Sequence, residues 1–120
     1  MSTTFKQPGR VIQHVAAAAL VSNQVVRIGK ILGVCLGNAS IGETVSVQIE
    51  GVFTVPKVSG AVIAQGENLT WDASAAAFDD NAATPATGDV TGPGAIAWEA
   101  AGNGVTTMDV KFTGVPGTVA

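Results

Sequence analysis

Between Thr44 and Val55 the chain alternates with a period of two. Val45, Val47, Ile49, Gly51, Phe53 and Val55 fall on one face; Thr44, Ser46, Gln48, Glu50 and Thr54 fall on the other. Successive side chains of an extended backbone point to opposite sides. The run therefore predicts one long β-strand with a buried face and a solvated face. Pro56 then ends ladder donation. Gly51 sits mid-strand on the apolar face, which predicts a bend, a bulge or a close backbone approach. A bend there would let the strand curve around a small barrel. Nothing in the run suits catalysis; it is built to pack and to pair.

The rest of the chain reads as short strands between turns. Arg10–Val15 predicts a first strand. The alanines of Val15–Leu20 favour helix, but the run is too short to hold one, so it predicts a connection or a single turn. Val25–Ile28 and Ile31–Leu36 flank Gly29-Lys30 as a hairpin or one bent strand. The second of these lacks alternation, which predicts burial on both faces. Asn38–Gly42 is a turn cluster, and Ser59–Gln65 is expected to make one helical turn. Asn68–Asp72 puts Leu69 and Trp71 on one face, with a turn at Asp72-Ala73-Ser74 and a return over Ala75–Phe78. Asp79–Pro93 predicts a long exposed loop. Ala95–Glu99 presents Ile96 and Trp98 together, and residues 101–104 predict a turn. Val105–Phe112 alternates, with Met108, Val110 and Phe112 inward. The expectation is an all-β, single-domain small β-barrel or sandwich with little helix. It spans residues 9–113, with an extended N-terminal arm at 1–8 and a C-terminal tail at 114–120.

Several functions are excluded by what the chain lacks. Charged residues make up only 12%, against about 25% in typical soluble domains. With a positive mean hydropathy, that predicts surface hidden in an oligomer or a larger assembly. The net charge is −3 and the six basic residues are scattered, so no nucleic-acid partner is expected. Catalytic, cofactor and metal sites are all expected to be absent. The single histidine, His14, and the single cysteine, Cys35, cannot build a triad or a zinc site. Cys35 lies within ILGVCLG and reads as a buried, inert thiol. Asp79, Asp80 and Asn81 are adjacent where a calcium loop needs alternation. Gly29-Lys30-Ile31 lacks both the upstream glycine and the Ser or Thr of a phosphate-binding loop. The longest apolar run, Val15–Val21, is too short to span a bilayer. No signal-peptide pattern opens the chain, so synthesis in the cytoplasm without membrane insertion is expected. Trp71 and Trp98 share their phases with Leu69 and Ile96, which places both in the core or a subunit interface.

Met1–Pro8 is polar, carries one large apolar group, Phe5, and ends at Pro8-Gly9. It reads either as a frayed terminus or as an arm that orders on a neighbour. In the second reading Thr3, Thr4, Phe5, Lys6, Gln7 and Pro8 are the neighbour-binding residues.

The segment GVCLGNASIGETVSVQIEGVFTVPK (Gly33–Lys57) carries a family resemblance, together with Gly9–Val11, Val25–Val34, Gly66–Asp72 and Gly94–Trp98. In this order they resemble the small capsid cement, or decoration, proteins of tailed phages and prophages. The chain departs from that pattern at Thr70, where an aromatic is usual, and over Phe78–Pro93, which is longer and more polar. The resemblance implies a non-enzymatic homotrimer on the outer capsid surface of the virion, at threefold and quasi-threefold positions, bridging major capsid protein subunits. A rival from another class is a phage tail or baseplate module that recognises a host surface, to which a long polar loop at Asp79–Pro93 would be suited. An enzyme is disfavoured by the missing constellations.

Overall fold

The computed structural model describes residues 7–120, and every regular element among them is a strand. The strands are β1 (Val11–Val15), β2 (Val25–Ile28), β3 (Ile31–Cys35), β4 (Thr44–Gln48), β5 (Glu50–Pro56) and β6 (Thr70–Asp72). They continue with β7 (Ala77–Asp79), β8 (Val90–Thr91), β9 (Ala95–Ala97), β10 (Thr107–Thr113) and β11 (Thr118–Val119). Three antiparallel sheets result, ordered β1-β4-β3-β2, β5-β10-β9 and β11-β8-β6-β7. Bridges from Lys57 to Phe78 and from Asn68 to Ile96 join the second and third sheets. The fold is all-β, with its sheet curled into a half-barrel.

The run that predicts one long strand serves two sheets. β4 pairs with β1 and β3, β5 pairs with β10, and Ile49 lies between them. The alternation survives the switch, but its apolar face feeds two cores. Val45 and Val47 pack with Ala16, Leu20, Cys35 and Ala39, while Val55 packs with Leu69, Trp71, Phe78, Val90, Val110 and Phe112. Gly51 stands at the change of direction with φ +135°, a region that side chains rarely adopt. The Gln48 side chain spans the bend, its Nε2 donating to the Glu50 carbonyl at 2.8 Å.

β3 is the wall between the two cores, as its unbroken burial predicts. Leu32 and Val34 enter the larger core and Cys35 the smaller one. Gly33 lets β3 and β4 approach closely: a Cβ there would lie 2.5 Å from Val47 Cγ1 and 2.8 Å from the Gln48 carbonyl oxygen. The larger core is threaded by aromatics. Phe53 meets Phe112 edge-on at 5.9 Å, Phe112 meets Phe78 at 5.8 Å, and Phe78 meets Trp71 at 5.0 Å. These offset contacts suit the ring quadrupoles and tie the second sheet to the third.

Three expectations are corrected. Ser59–Gln65 makes no helical turn; after a tight turn at Ser59-Gly60, closed by the Ala61 N–H donating to the Val58 carbonyl at 3.1 Å, Ile63 bridges Ala101 in both directions. The exposed loop expected over Asp79–Pro93 is shorter, because Asp89 and Val90 are buried and Val90 opposes Trp71 in the third sheet. The tail expected over 114–120 carries β11, which pairs with β8. Gly117 also donates to the Lys30 carbonyl at 2.8 Å, at the tip of the β2–β3 hairpin. Each segment gains backbone hydrogen bonds that an exposed loop or a helical turn would have left to water.

Gly51→Val should cost about 1–3 kcal/mol, chiefly through the forced φ and through displacing Gln48. Denaturant titration of the variant measures this loss, and an unchanged midpoint would show that the bend carries no constraint.

Candidate functional site

The outer face of the second sheet gathers the most unusual exposed side chains. The register places Val52, Lys111 and Ile96 in one row across β5, β10 and β9. Thr54 and Asp109 form the next row, which Trp98 completes by donating its backbone N–H to the Asp109 carbonyl at 3.1 Å. Trp98 is 51% exposed and Val52 42%. Lys111 Nζ lies 5.9 Å from the Trp98 ring centroid, within cation–π range. Thr54 Oγ1 donates to Asp109 Oδ1 at 2.6 Å, and Gln65 Nε2 donates to the Trp98 carbonyl at 3.3 Å. A shallow groove of about 470 Å³ runs alongside, lined by Gln65, Gly66, Ile96, Ala97, Trp98 and Lys111.

This face splits the two tryptophans. Trp71 is buried in the larger core, as its phase with Leu69 predicts. Trp98 and Ile96 do share a face, but it is the outer one, so Trp98 is not a core residue. The register gives the reason. On the inner side Ala95 lies opposite Phe112 and Ala97 opposite Val110. The bulky β10 side chains fill the inner space and leave room only for alanine on β9.

The arrangement offers little for chemistry. Among the described residues no three His, Cys, Asp or Glu side chains lie close enough to hold a metal ion. A second groove of about 490 Å³ is lined by Val21, Asn23, Gln24, Pro56, Trp71 and Ala76, among others, none of them titratable. A third groove contains Glu67, whose two oxygens accept from the backbone of Ala64 and Asn81 at 3.1 and 2.8 Å. Burial pushes the Cys35 thiol up, away from the reactive thiolate. The hydroxyl and backbone N–H of Ser74, with the backbone N–H of Ala75, donate to Asp72 and hold its carboxyl below the usual range. That carboxylate shapes the β6–β7 turn.

Two buried polar side chains hold loops in place. Lys57 is buried, and its Nζ donates to the carbonyl oxygens of Val58, Gly102 and Val105 at 2.8, 3.0 and 3.2 Å. Its three donors thereby fix the turn after β5 to the turn before β10. Asp89 accepts from the backbone of Ala73 at 3.0 Å and of Ala86 at 2.9 Å, fastening the 80–88 loop to the β6–β7 hairpin. Neither role has a motif, because the partners are backbone groups and each side chain also reaches a distant segment, Gly102 and Val105 for Lys57 and Ala73 for Asp89.

The arm residues Thr3, Thr4, Phe5 and Lys6 lie outside the described residues. Gln7 and Pro8 are exposed, and Gly9 and Arg10 form a turn at the entry to β1.

Among the described residues the regular elements are all strands, one outer sheet face exposes Trp98 and Val52 among Thr54, Asp109 and Lys111, and the buried charged side chains of Lys57 and Asp89 hold backbone; these features suit an architectural and binding module. The sequence profile described as phage cement protein matches residues 6–112. The chain belongs to that family, whose proteins serve as structural components of the phage capsid. No curated protein matches the chain.

Lys57→Met should keep the stem packed but remove the ammonium from the Val58, Gly102 and Val105 carbonyls; Val58 and Gly102 keep the backbone N–H groups of Ala61 and Val105, and the Val105 carbonyl loses its donor. We expect a loss of about 1–3 kcal/mol, read by thermal unfolding, with faster amide exchange at Gly104 and Val105. Unchanged exchange there would show that the clamp is dispensable.

Proposed function

We propose that the protein decorates the outer surface of a phage head as a homotrimer and bridges neighbouring major capsid protein subunits. The observation that supports a bound partner is the Trp98 face. A bulky aromatic left half in water at the end of a paired strand, with Ile96 next to it and Val52 across the neighbouring row, has the character of an interface hot spot. We assign this face to the capsid shell. The low charge of the chain supports the same reading, since a free monomer gains little from so apolar a surface. Family membership supplies the shell as the place of action. A trimer presents three copies of a modest contact on one rigid body, and effective concentration turns them into firm attachment. A net charge of −3 suits the outer surface better than contact with packaged DNA.

Thr3–Pro8 completes the proposal as a segment that contacts an adjacent subunit. No structural observation favours the tail or baseplate alternative. Its support was a long free loop, and Asp89, Glu67 and β8 hold that region to the domain.

Light scattering on the purified protein should give three chains per particle, and a monodisperse monomer both free and on heads would overturn the trimer. Trp98→Ala should leave the oligomer intact and weaken binding to undecorated heads by about 2 kcal/mol per copy. A titration of heads with the variant tests this, with wild-type affinity as the outcome that excludes the face.

A further inference from the structure

We infer that Asn103-Gly104 is a latent site of spontaneous modification: the folded protein holds it unreactive, and opening of its turn lets Asn103 convert to an aspartyl or isoaspartyl residue. The site is independent of any partner that the domain binds.

Five asparagines occur in the chain, and Asn103 is the one that glycine follows. The residue after an asparagine supplies the nucleophile for loss of the side-chain amide. Its backbone nitrogen gives up a proton to base and attacks the asparagine Cγ. The new C–N bond closes a succinimide ring, and the side-chain amide nitrogen leaves as ammonia. Water then opens the ring at either carbonyl. In balance, one amide and one water become one carboxylate and one ammonium ion. Opening at one carbonyl gives an aspartyl residue. Opening at the other gives an isoaspartyl residue, whose main chain runs through the former side chain and gains a methylene. Glycine favours the attack because it has no Cβ to crowd the approach.

The fold controls the nitrogen that must attack. Gly104 is the third residue of a turn that the Val105 N–H closes on the Gly102 carbonyl at 3.2 Å. Its φ is +89°, as a type II turn requires. Residues 102–106 are exposed, so water and base reach the Asn103 side chain. The Gly104 N–H, by contrast, donates to the Ser59 carbonyl at 2.6 Å. Ser59 lies in the tight turn at 58–61, and its carbonyl oxygen is 3.5 Å from Lys57 Nζ. The same ammonium holds the Gly102 and Val105 carbonyls, which flank the Asn103-Gly104 pair. Further out, the Lys57 N–H donates to the Thr106 carbonyl at 2.8 Å, and Ile63 and Ala101 exchange backbone hydrogen bonds. The reactive nitrogen therefore keeps its proton in a hydrogen bond and cannot pivot toward Cγ while both neighbours are tied. Reaction needs the turn to open. Its rate follows the open fraction when opening and closing outpace the chemistry.

Conversion would also keep the turn open. The added methylene of an isoaspartyl link shifts Gly104 relative to Gly102, so the bonds to Ser59 and Lys57 cannot all reform. A long-lived structural protein would accumulate the change in those copies whose clamp opens most.

The test is timed peptide mapping by mass spectrometry, with an isoaspartyl-specific methylation assay, on the full-length protein at mildly alkaline pH. Each protein is compared with its own unfolded chain in denaturant, which cancels any effect of a substitution on the chemical step. Native wild type should convert Asn103 at least roughly ten-fold more slowly than its unfolded chain, and Lys57→Met should remove most of that protection. Wild type in denaturant below its unfolding midpoint covers the case in which Lys57→Met folds poorly. There Asn103 conversion and Gly104 amide exchange should rise together. Converted protein, separated by its added negative charge, should exchange rapidly at Gly104 and Val105. Conversion of native wild type at the unfolded rate overturns the inference. So does full protection in a folded Lys57→Met, conversion that does not track Gly104 exchange, or isoaspartyl protein that exchanges like wild type.

Discussion

The fold depends on one backbone turn of direction, at Gly51. A single alternating run must supply an inner face to two cores, and it does so by changing sheets without losing phase. Odd-numbered residues face inward on both sides of the bend. A bulge would have shifted the phase and exposed either Val45 and Val47 or Phe53 and Val55. A positive φ at glycine redirects the strand and keeps the count. Gln48 then bridges the bend from its own side chain, and Ile49 is held by Arg10, so the turn is fixed from both directions.

β3 makes the division into two cores affordable in so small a domain. It buries Leu32 and Val34 on one side and Cys35 on the other, so one strand does the work of two. The close approach at Gly33 brings β4 against it with no side chain between. Little area is left for charged residues in such a plan, and those present are used locally. Lys57, Asp89 and Glu67 each bond to the backbone of segments far away in sequence. Lys57 and Asp89 are buried, and buried polar groups that satisfy backbone in this way hold loops in place. The rigidity of the outer sheet face follows, since Lys57 fixes both turns that frame β5 and β10.

Much of this was legible because strands announce themselves by period. The alternation in Val105–Phe112 gives both the existence of β10 and its inner set, and Gly29-Lys30 marks the first hairpin. What period cannot supply is which face is in. For β9 the pattern groups Ile96 with Trp98, yet Ala95 and Ala97 face the core because Phe112 and Val110 stand opposite them. That decision lies in a partner strand more than ten residues away. β8 and β11 were illegible for a related reason. Each has two residues, too few to show any period; β8 exists through pairing with β11 and β6, and β11 through pairing with β8. The loop clamps escape sequence reading altogether, since a carbonyl acceptor can belong to any residue type. Of the candidate site, its tryptophan and its sheet were visible, and the sidedness that makes it a surface was not.

That sidedness bears directly on the role of a cement protein. A core that is filled from β10 leaves Ile96 of β9, and Trp98 just past its end, outward, beside a sheet held by pairing and by the Lys57 clamp. An apolar contact surface on a flexible loop would lose binding energy to ordering when it met the shell. The same residues on a preformed sheet lose little. The constraint that packs the inside with aromatics therefore also sets which large side chains the sheet shows on its outer face.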